Sequence, residues 1–415
     1  MALICQNNVF IQPQAYFGVA HSHMPELKLE SGTVSSQIDT WSKIEAHQSV
    51  TKINPEKNHI HLSNDKKFTY KALVLAPGFD HSSKYIKGLE DMEKGHEMEN
   101  VFVHVLDHKA RVNRNFWNGW NNTNGDLICY SPKFPYKGEG TDFYALYYEH
   151  FMRQDKMLGR SAANARIQYW TPNKEIYQFG YANEVALDEC HKRGIDVMLG
   201  WEMLEVKKNE HKQKIAVFQN VDTKEIIEKP FNAACINPPS KPHKFLAEAG
   251  LTDAAGLIDV NKYTLQHKKH ENIFAFGDAV GFETTRTQEG AMNQCPIVKN
   301  NMLNYLQGKD CNAVYDGATF MPFLLGHSYA SSFQHLHDFE PAAMNHYVPH
   351  YGVFSKFYFG RMMKSSLAAG TNYSGFKKHH GPPYGYFSAE YDNLEHNEYL
   401  ISKGIKPEEV RHPAA

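Results

Sequence analysis

The pair Gly277-Asp278 is the part of the sequence best placed to do chemistry. An apolar run at 273–276 precedes it and predicts a strand ending in a loop that carries the pair, and a helix is expected to follow at 288–306. Glycine lets the backbone come close to a ligand, and an aspartate carboxylate accepts hydrogen bonds from ligand hydroxyls. The arrangement therefore predicts a site for a hydroxyl-bearing ligand at the end of this strand.

A second apolar strand, 70–76, ends in the turn Pro77-Gly78. Flavoproteins with two dinucleotide-binding domains use such a strand to close the first nucleotide-binding half, and their late Gly-Asp pair binds the ribityl hydroxyls of FAD. We interpret the two turns together as favouring this two-domain α/β fold over a generic α/β domain.

The Gly-rich turn that such a flavin site also uses has no counterpart in the sequence. Pyrophosphate binding in this fold depends on a GxGxxG turn whose backbone N–H groups hold the phosphates, and no such string occurs in the 415 residues. The nearest string, Lys137-Gly138-Glu139-Gly140, lacks the third glycine and carries an acidic side chain that would repel phosphate. We interpret it as a solvated loop rather than a phosphate cradle.

Strands and helices alternate through the middle of the chain, which predicts a parallel sheet with helices packed on it. Strands are expected at 126–130, 166–170 and 195–199, a helix at 182–193, and a hairpin over 202–221. Nearer the N-terminus, the pattern predicts a helix at 37–45 and a small antiparallel meander over 49–68. We divide the chain into a first dinucleotide-type domain (1–105 and 255–310), a second one (106–254) and a C-terminal region (311–415).

Composition excludes several functional classes. A hydrophobic content of 42% with 22% charged residues is that of a folded globular protein, and a net charge of -2 argues against nucleic-acid binding. No apolar run reaches the roughly 20 residues of a membrane-spanning helix. The N-terminus has no basic region, so neither a secretory signal nor a transit peptide is expected. The cysteines form no CxxC motif, and Cys129 and Cys235 lie in apolar runs, where we expect inert core residues.

The 24 histidines include several close pairs, but no carboxylate or cysteine completes a metal set at suitable spacing. We therefore expect surface histidines and no metal site; the pairs are His21 and His23, His59 and His61, His335 and His337, and His379 and His380. The stretch 351–367 is aromatic and Met-rich with three basic residues as its only charges. It suits a membrane-surface helix or a helix packed on protein, and both alternatives stay open.

Several longer segments resemble the sulfide:quinone oxidoreductases of the eukaryotic mitochondrial type, over about residues 10–378. They include VTKINPEKNHIHL, FTYKALVLAPGFDHSSKYIKGLE and, most specifically, GLTDAAGLIDVNKYTLQHKKHENIFAFGDAVGFETTRT. The resemblance implies two Rossmann-like domains, bound FAD and a C-terminal amphipathic region that places the flavin near the membrane quinone. It also implies that the first strand and its GxGxxG turn are missing, with Met1 falling at the second strand.

The resemblance assigns site residues one by one. Gly277, Asp278, Pro77, Gly78 and Gln294 correspond to the family's FAD-contacting positions. The two redox cysteines of the family fall at Tyr136 and Met321, and neither side chain can form the thiolate and disulfide states that sulfide oxidation uses.

Two functions follow from the resemblance. The first is a catalytically degenerate member that serves as a subunit of a mitochondrial inner-membrane respiratory assembly, bound peripherally and contacting the membrane through 351–367. The second is an active FAD-dependent enzyme that reduces ubiquinone, with the phosphate-binding turn lying upstream of this sequence. A third alternative, a relative of the type II NADH dehydrogenases, ranks last. It would need a NAD-binding turn after Cys129, and the sequence has none there.

Overall fold

The structure is a computed structural model, and it describes residues 2–5, 9–11, 30–33, 43–94, 100–103, 125–140, 145–146, 165–325, 329–341 and 401–406. In chain order its elements are β1 (Ala2–Cys5), β2 (Val9–Ile11), β3 (Glu30–Thr33), β4 (Lys43–Ala46), β5 (Val50–Asn54), β6 (His59–Leu62), β7 (Lys67–Thr69), β8 (Leu73–Leu75), β9 (Asp80–His81), α1 (Leu89–Lys94), β10 (Val101–Val103), β11 (Gly125–Tyr130), β12 (Ala165–Thr171), α2 (Gly180–Lys192), β13 (Asp196–Leu199), β14 (Trp201–Lys208), β15 (Lys214–Asn220), β16 (Ile226–Phe231), β17 (Ala233–Ile236), β18 (Ser240–Lys241), α3 (Lys244–Glu248), β19 (Ile273–Ala275), α4 (Gln288–Leu306), β20 (Thr319–Leu325) and β21 (Tyr329–His335).

The first unit combines two parallel strand pairs with an antiparallel meander. β1 pairs with β4, and β8 pairs with β19, both in parallel. The predicted meander is confirmed as β5, β6 and β7. Side chains from these strands, among them Ile4, Ile53, Leu75 and Ile273, pack in one shared core. This core fixes the ends of β8 and β19, where the two predicted turns begin.

The helix expected at 37–45 is wrong at its C-terminal end, because Lys43–Ala46 forms β4. The parallel ladder places Glu45 opposite Ile4. Glu45 is largely buried and accepts a hydrogen bond from Lys66 Nζ at 2.9 Å. Strand pairing and this charged contact outweigh the short helical pattern in the sequence. Residues 37–42 lie outside the described part of the chain.

The second unit is built on a five-stranded parallel sheet in the order β10-β17-β11-β12-β13. The expected strands, the helix α2 and the hairpin β14-β15 are confirmed with small shifts of their ends, and β16 adds a third antiparallel strand. Trp170 and Phe218 stack with ring centroids 4.2 Å apart, joining the parallel sheet to this antiparallel layer. The alternation of strands and helices in the sequence therefore correctly predicted a parallel sheet.

Helix α4 covers the first unit and begins beside the Gly277 loop. Thr287 caps its N-terminus, where Thr287 Oγ1 accepts a hydrogen bond from the Gly290 N–H at 3.3 Å. Ile297 and Val298 of α4 pack in one cluster with Phe274 of β19. The helix is thereby fixed against the strand that delivers the loop.

Several side chains differ from the sequence expectation in their burial. His59, His335 and His337 are buried, so surface placement is wrong for them. His335 and His337 are accommodated because each bonds a backbone carbonyl, and burial lowers their pKa values to about 4 and about 3. His21, His23, His379 and His380 lie outside the described residues. Within the described ranges no group of side chains is arranged to bind a metal.

Cys129 and Cys235 are buried in the sheet, which confirms their expected place in the core. None of the helices in the described part of the chain is both long and apolar enough to cross a membrane. The stretch 351–367 lies outside the described residues, so the two alternatives for it remain predictions.

Candidate functional site

The Gly277 loop begins where β19 ends. The backbone of Gly277 has φ +85, a conformation that favours glycine. Its N–H donates to Gln294 Oε1 at 2.7 Å, and Gln294 itself is buried in α4. The structure thus brings two of the predicted site residues into direct contact, and α4 fixes the loop through Gln294.

Asp278 follows Gly277 in the same loop. Part of its surface is accessible although protein atoms surround it closely. Desolvation raises the pKa of its carboxyl to about 6, while the positive charges of Lys137 and Arg286 act in the opposite direction. An acceptor for ligand hydroxyls is therefore present, and its charge is balanced by two nearby cations.

The Pro77-Gly78 turn follows β8, the strand beside β19. Gly78 has φ +63, and no heavy atom of another segment lies within 4 Å of the position that a Cβ would take. The carbonyl of Pro77 accepts a hydrogen bond from His243 Nε2 at 3.2 Å. The turn is thus anchored on one side and open at the glycine, where a ligand could approach the backbone.

Glu139 and Gly140 are buried, and Lys137 and Gly138 partly so, so the interpretation of 137–140 as a solvated loop is wrong. Glu139 accepts hydrogen bonds from the Tyr136 N–H at 3.1 Å and from Gln178 Nε2 at 3.0 Å, and both Tyr136 and Glu139 are 1% exposed. These bonds make burial of an acidic side chain tolerable. Desolvation nevertheless raises the pKa of Glu139 to about 8, against the opposing charge of Arg286.

Two backbone contacts bind this loop to the rest of the site. The Lys137 N–H donates to Ser240 Oγ at 3.1 Å, and the Gly138 N–H donates to the Arg286 carbonyl at 3.0 Å. Ser240 follows β17 and Arg286 follows the Gly277 loop. These contacts bring together the segments after the parallel strands β11, β17 and β19, and the hydrogen bond between His243 and the Pro77 carbonyl adds the segment after β8. The four segments define the crevice, at the carboxyl ends of parallel strands, where α/β proteins usually bind ligands.

Met321 closes the crevice from the C-terminal region. A Cβ on Gly140 would overlap the Met321 sulfur, so the methionine side chain lies directly on the loop that starts at Tyr136. Met321 is fully buried in β20. The two positions that the resemblance assigns to redox cysteines are therefore brought into the same region, occupied by a buried phenol and a buried thioether.

Arg286 also belongs to the site, although no sequence motif marks this arginine as a site residue. Its side chain is 4% exposed, and Nη2 donates to the Phe282 carbonyl at 3.1 Å. Nε and Nη1 have no hydrogen-bond partner among the described residues. Burial lowers the pKa of the guanidinium, while the carboxyls of Glu139 and Asp278 act to raise it. Its position directly before the N-cap Thr287 was the one signal in the sequence.

The residues of the crevice fit the ring and ribityl portions of a flavin. Among the described residues Nε and Nη1 of Arg286 have no acceptor. Buried N–H groups without a partner cost about 1–3 kcal/mol each, more when charged, so these two groups would favour an acceptor on a bound molecule. Asp278 offers an acceptor for hydroxyls, and Gly277 and Gly78 offer partly exposed backbone without side chains. For the pyrophosphate, by contrast, the sequence has no GxGxxG turn.

Comparison with known proteins identifies several of similar sequence. No family model matches the sequence. Three curated relatives, all named mitochondrial sulfide:quinone oxidoreductase, are 24–26% identical to it. The one from Schizosaccharomyces pombe is 26% identical over 313 residues, which is 74% of this chain and 64% of the relative. The matches with these relatives cover less than two thirds of their length.

Two solved structures share the fold. A chain in the mitochondrial ATP synthase of Tetrahymena thermophila is 26% identical with a TM-score of 0.78, covering 92% of this chain and 91% of that one. The sulfide:quinone oxidoreductase of Aquifex aeolicus is 15% identical with a TM-score of 0.67, covering 88% and 83%. The predicted fold class, with two Rossmann-like domains of the FAD/NAD(P)-binding type, is confirmed. The chain is thus a relative of the mitochondrial sulfide:quinone oxidoreductases.

Proposed function

We propose that this chain is a non-catalytic relative of the sulfide:quinone oxidoreductases that serves as a subunit of a mitochondrial membrane assembly. The observation that carries the proposal is the pair Tyr136 and Met321. Both are buried at the crevice, at the positions where the family's redox cysteines are expected. Sulfide oxidation needs a thiolate that can pass through persulfide and disulfide states, and neither a phenol nor a thioether can form them.

The remaining cysteines do not replace this pair. Cys129, Cys190, Cys235 and Cys311 are buried, and burial raises the pKa of Cys311 to about 12. Cys295, on α4, is exposed, but desolvation by surrounding protein also raises its pKa. A raised pKa leaves little thiolate at neutral pH, so Cys295 and Cys311 are poor nucleophiles, and burial shields Cys129, Cys190 and Cys235 from a substrate.

The role as a subunit is supported by the similarity to the Tetrahymena thermophila ATP synthase chain. That similarity spans nearly the whole of both chains, whereas the matches to the curated enzymes leave more than a third of each enzyme uncovered. We extend to this chain a place in a membrane assembly of the ATP synthase type. Peripheral attachment at the inner membrane, with 351–367 contacting lipid or a neighbouring subunit, belongs to the same proposal.

Native purification tests the subunit role. The endogenous chain, carrying an affinity tag, is purified in mild detergent and separated on a native gel, and the chains that migrate with it are identified. We expect it in a large membrane complex at a fixed ratio to the other subunits. Migration as a free monomer or dimer in all detergents would contradict the proposal.

The second candidate function is an active FAD-dependent quinone reductase. Its support is the crevice itself, where Gly277, Asp278, Pro77, Gly78, Gln294 and Arg286 would hold the flavin. FAD, when bound, supplies electron transfer to quinone, and Asp278 would fix the ribityl chain. An absorbance spectrum with stoichiometric flavin, together with ubiquinone reduction by a donor other than sulfide, would favour this function.

A further inference from the structure

The antiparallel meander β5-β6-β7 carries a row of basic side chains on its outer face. The strand registers place Lys52 opposite His61 and His61 opposite Lys67, so these three residues lie side by side across the three strands. The adjacent Ile53 and Ile60 pack in the core, and side chains alternate along a strand, so the basic row lies on the opposite face. Lys52 and Lys67 are exposed and His61 is partly exposed. The row is therefore accessible from solvent.

Positive charge is concentrated on this face. The three strands contain two lysines, two histidines and no aspartate or glutamate. Each of the two connecting turns has one acidic residue, Glu56 or Asp65, directly followed by a lysine. Desolvation lowers the pKa of His59, and the positive charges of Lys67 and Lys57 lower it further. Like charges directly opposite each other destabilise a sheet, so an anionic surface laid on this face would relieve the repulsion.

The composition of the face favours a lipid surface over a protein. Protein interfaces are enriched in aromatic residues, Met and Arg and are depleted in Lys. Lysine side chains, by contrast, are attracted to anionic bilayers without a fixed contact geometry. The outward positions of the meander are polar or basic, and they include Lys52, Asn54, His61, Lys67 and Thr69.

We propose that the outer face of the meander is a docking surface for an anionic lipid bilayer, and that Lys52 and Lys67 supply its attraction. This inference rests on the membrane attachment proposed above and assigns the part of the first unit that meets the lipid. It requires neither a bound cofactor nor a partner subunit, so the purified chain alone can test it.

Vesicle sedimentation tests the proposal. The purified full chain is mixed with vesicles of phosphatidylcholine, either alone or with about one third phosphatidylglycerol, an anionic lipid. At about 0.1 M salt we expect the partition coefficient onto anionic vesicles to exceed that onto neutral vesicles by about tenfold or more, and to fall at about 0.5 M salt. Equal partition onto the two kinds of vesicle, or no binding to either, would overturn the proposal.

Paired variants assign the attraction to the row. Lys52→Gln combined with Lys67→Gln should weaken partition onto anionic vesicles about 30-fold, or about fivefold for each lysine. Lys52→Arg combined with Lys67→Arg keeps both charges and should retain binding. The matched control is Lys174→Gln combined with Lys212→Gln, which removes the same charge from exposed positions of the second unit and should change partition by less than about threefold.

Two results with these variants would contradict the proposal. The first is an equal loss of partition in both glutamine pairs, and the second is unchanged partition of the Lys52 and Lys67 glutamine variant when circular dichroism shows it to be folded. If that variant keeps its vesicle partition but leaves the membrane complex on a native gel, the row binds an acidic protein instead. Because the vesicle assay contains no other protein, absence of the parent chain from such a complex would overturn the subunit role alone.

Discussion

The Met321 side chain lies directly on the α-carbon of Gly140, so closely that any larger residue at 140 would overlap the methionine sulfur. The contact joins the C-terminal strand β20 to the loop that begins at Tyr136. Met321 and Gly140 are both buried. Met321 therefore packs on this loop at the place where the family resemblance expects sulfur chemistry.

Gly140→Ala should destabilise the protein because the new methyl group meets Met321 and because Gly140 has φ +87. We expect the free energy of unfolding, measured by urea titration, to fall by about 3 kcal/mol. Gly250→Ala is the control, since Gly250 has φ +68 but no atom of another segment near the Cβ position. Its loss should be only about 1 kcal/mol, from backbone strain alone. Equal losses in the two variants would refute the Met321 contact.

Glu139 should make stability depend on pH. Its pKa is raised from 4.5 to about 8 in the folded state, so the folded protein binds the proton more tightly than the unfolded chain does. This contribution to stability is complete below pH 4.5 and is lost as pH rises through about 8. Glu139→Gln cannot titrate, its amide oxygen can still accept from the Tyr136 N–H, and its amide N–H can donate to Gln178 once the Gln178 amide turns its oxygen inward.

Relative to the parent protein, Glu139→Gln should therefore gain stability between pH 5 and pH 8.5, by roughly 3 kcal/mol. Urea titrations of both proteins across this range measure the difference. Two stability curves that stay parallel over the whole range would show that the carboxyl is not buried as described.

Asn301 should be among the most sensitive positions of α4. Its buried amide donates to the carbonyls of Thr264 and Ala313 and accepts from the N–H groups of Asn312 and Ala313, at 2.8–3.0 Å. Asn301→Ala leaves all these backbone groups without a partner, and we expect a loss of about 3 kcal/mol or more. The measurement is the free energy of unfolding.

Asn304→Ala provides the comparison on the same helix. Asn304 makes an exposed hydrogen bond to Asn312 Oδ1, so its loss should stay within about 0.5–1 kcal/mol. Comparable losses at positions 301 and 304 would mean that α4 is not fixed by the Asn301 amide.

The elements with strong patterns were predictable from sequence, and the polar interior was not. Helix α4 and strand β19 were expected within one residue of their observed ends, because apolar spacing and the Gly277 turn mark them. Glu139 was misplaced because an acidic residue between two glycines normally lies in solvent, and the hydrogen bond from the distant Gln178 that helps to make its burial possible has no signal in the sequence. The unused donors of Arg286 likewise depend on tertiary contacts that no local pattern encodes.

The first unit shows the same limit at a strand. The segment 43–46 has little to distinguish helix from strand by itself, and its pairing with β1 decides the outcome. Histidines were misjudged for a related reason, since His335 and His337 are stabilised in the interior by backbone carbonyls that sequence spacing does not reveal.

Sulfide-dependent reduction of a short-chain ubiquinone by the purified chain, with saturating FAD added, tests the central claim most directly. With Tyr136 and Met321 in place of a redox pair, we expect a rate equal to that of sulfide and quinone without protein. The sulfide:quinone oxidoreductase of Schizosaccharomyces pombe, a relative at 26% identity, serves as the positive control. Turnover that depends on both sulfide and this chain would contradict the assignment of a non-catalytic role.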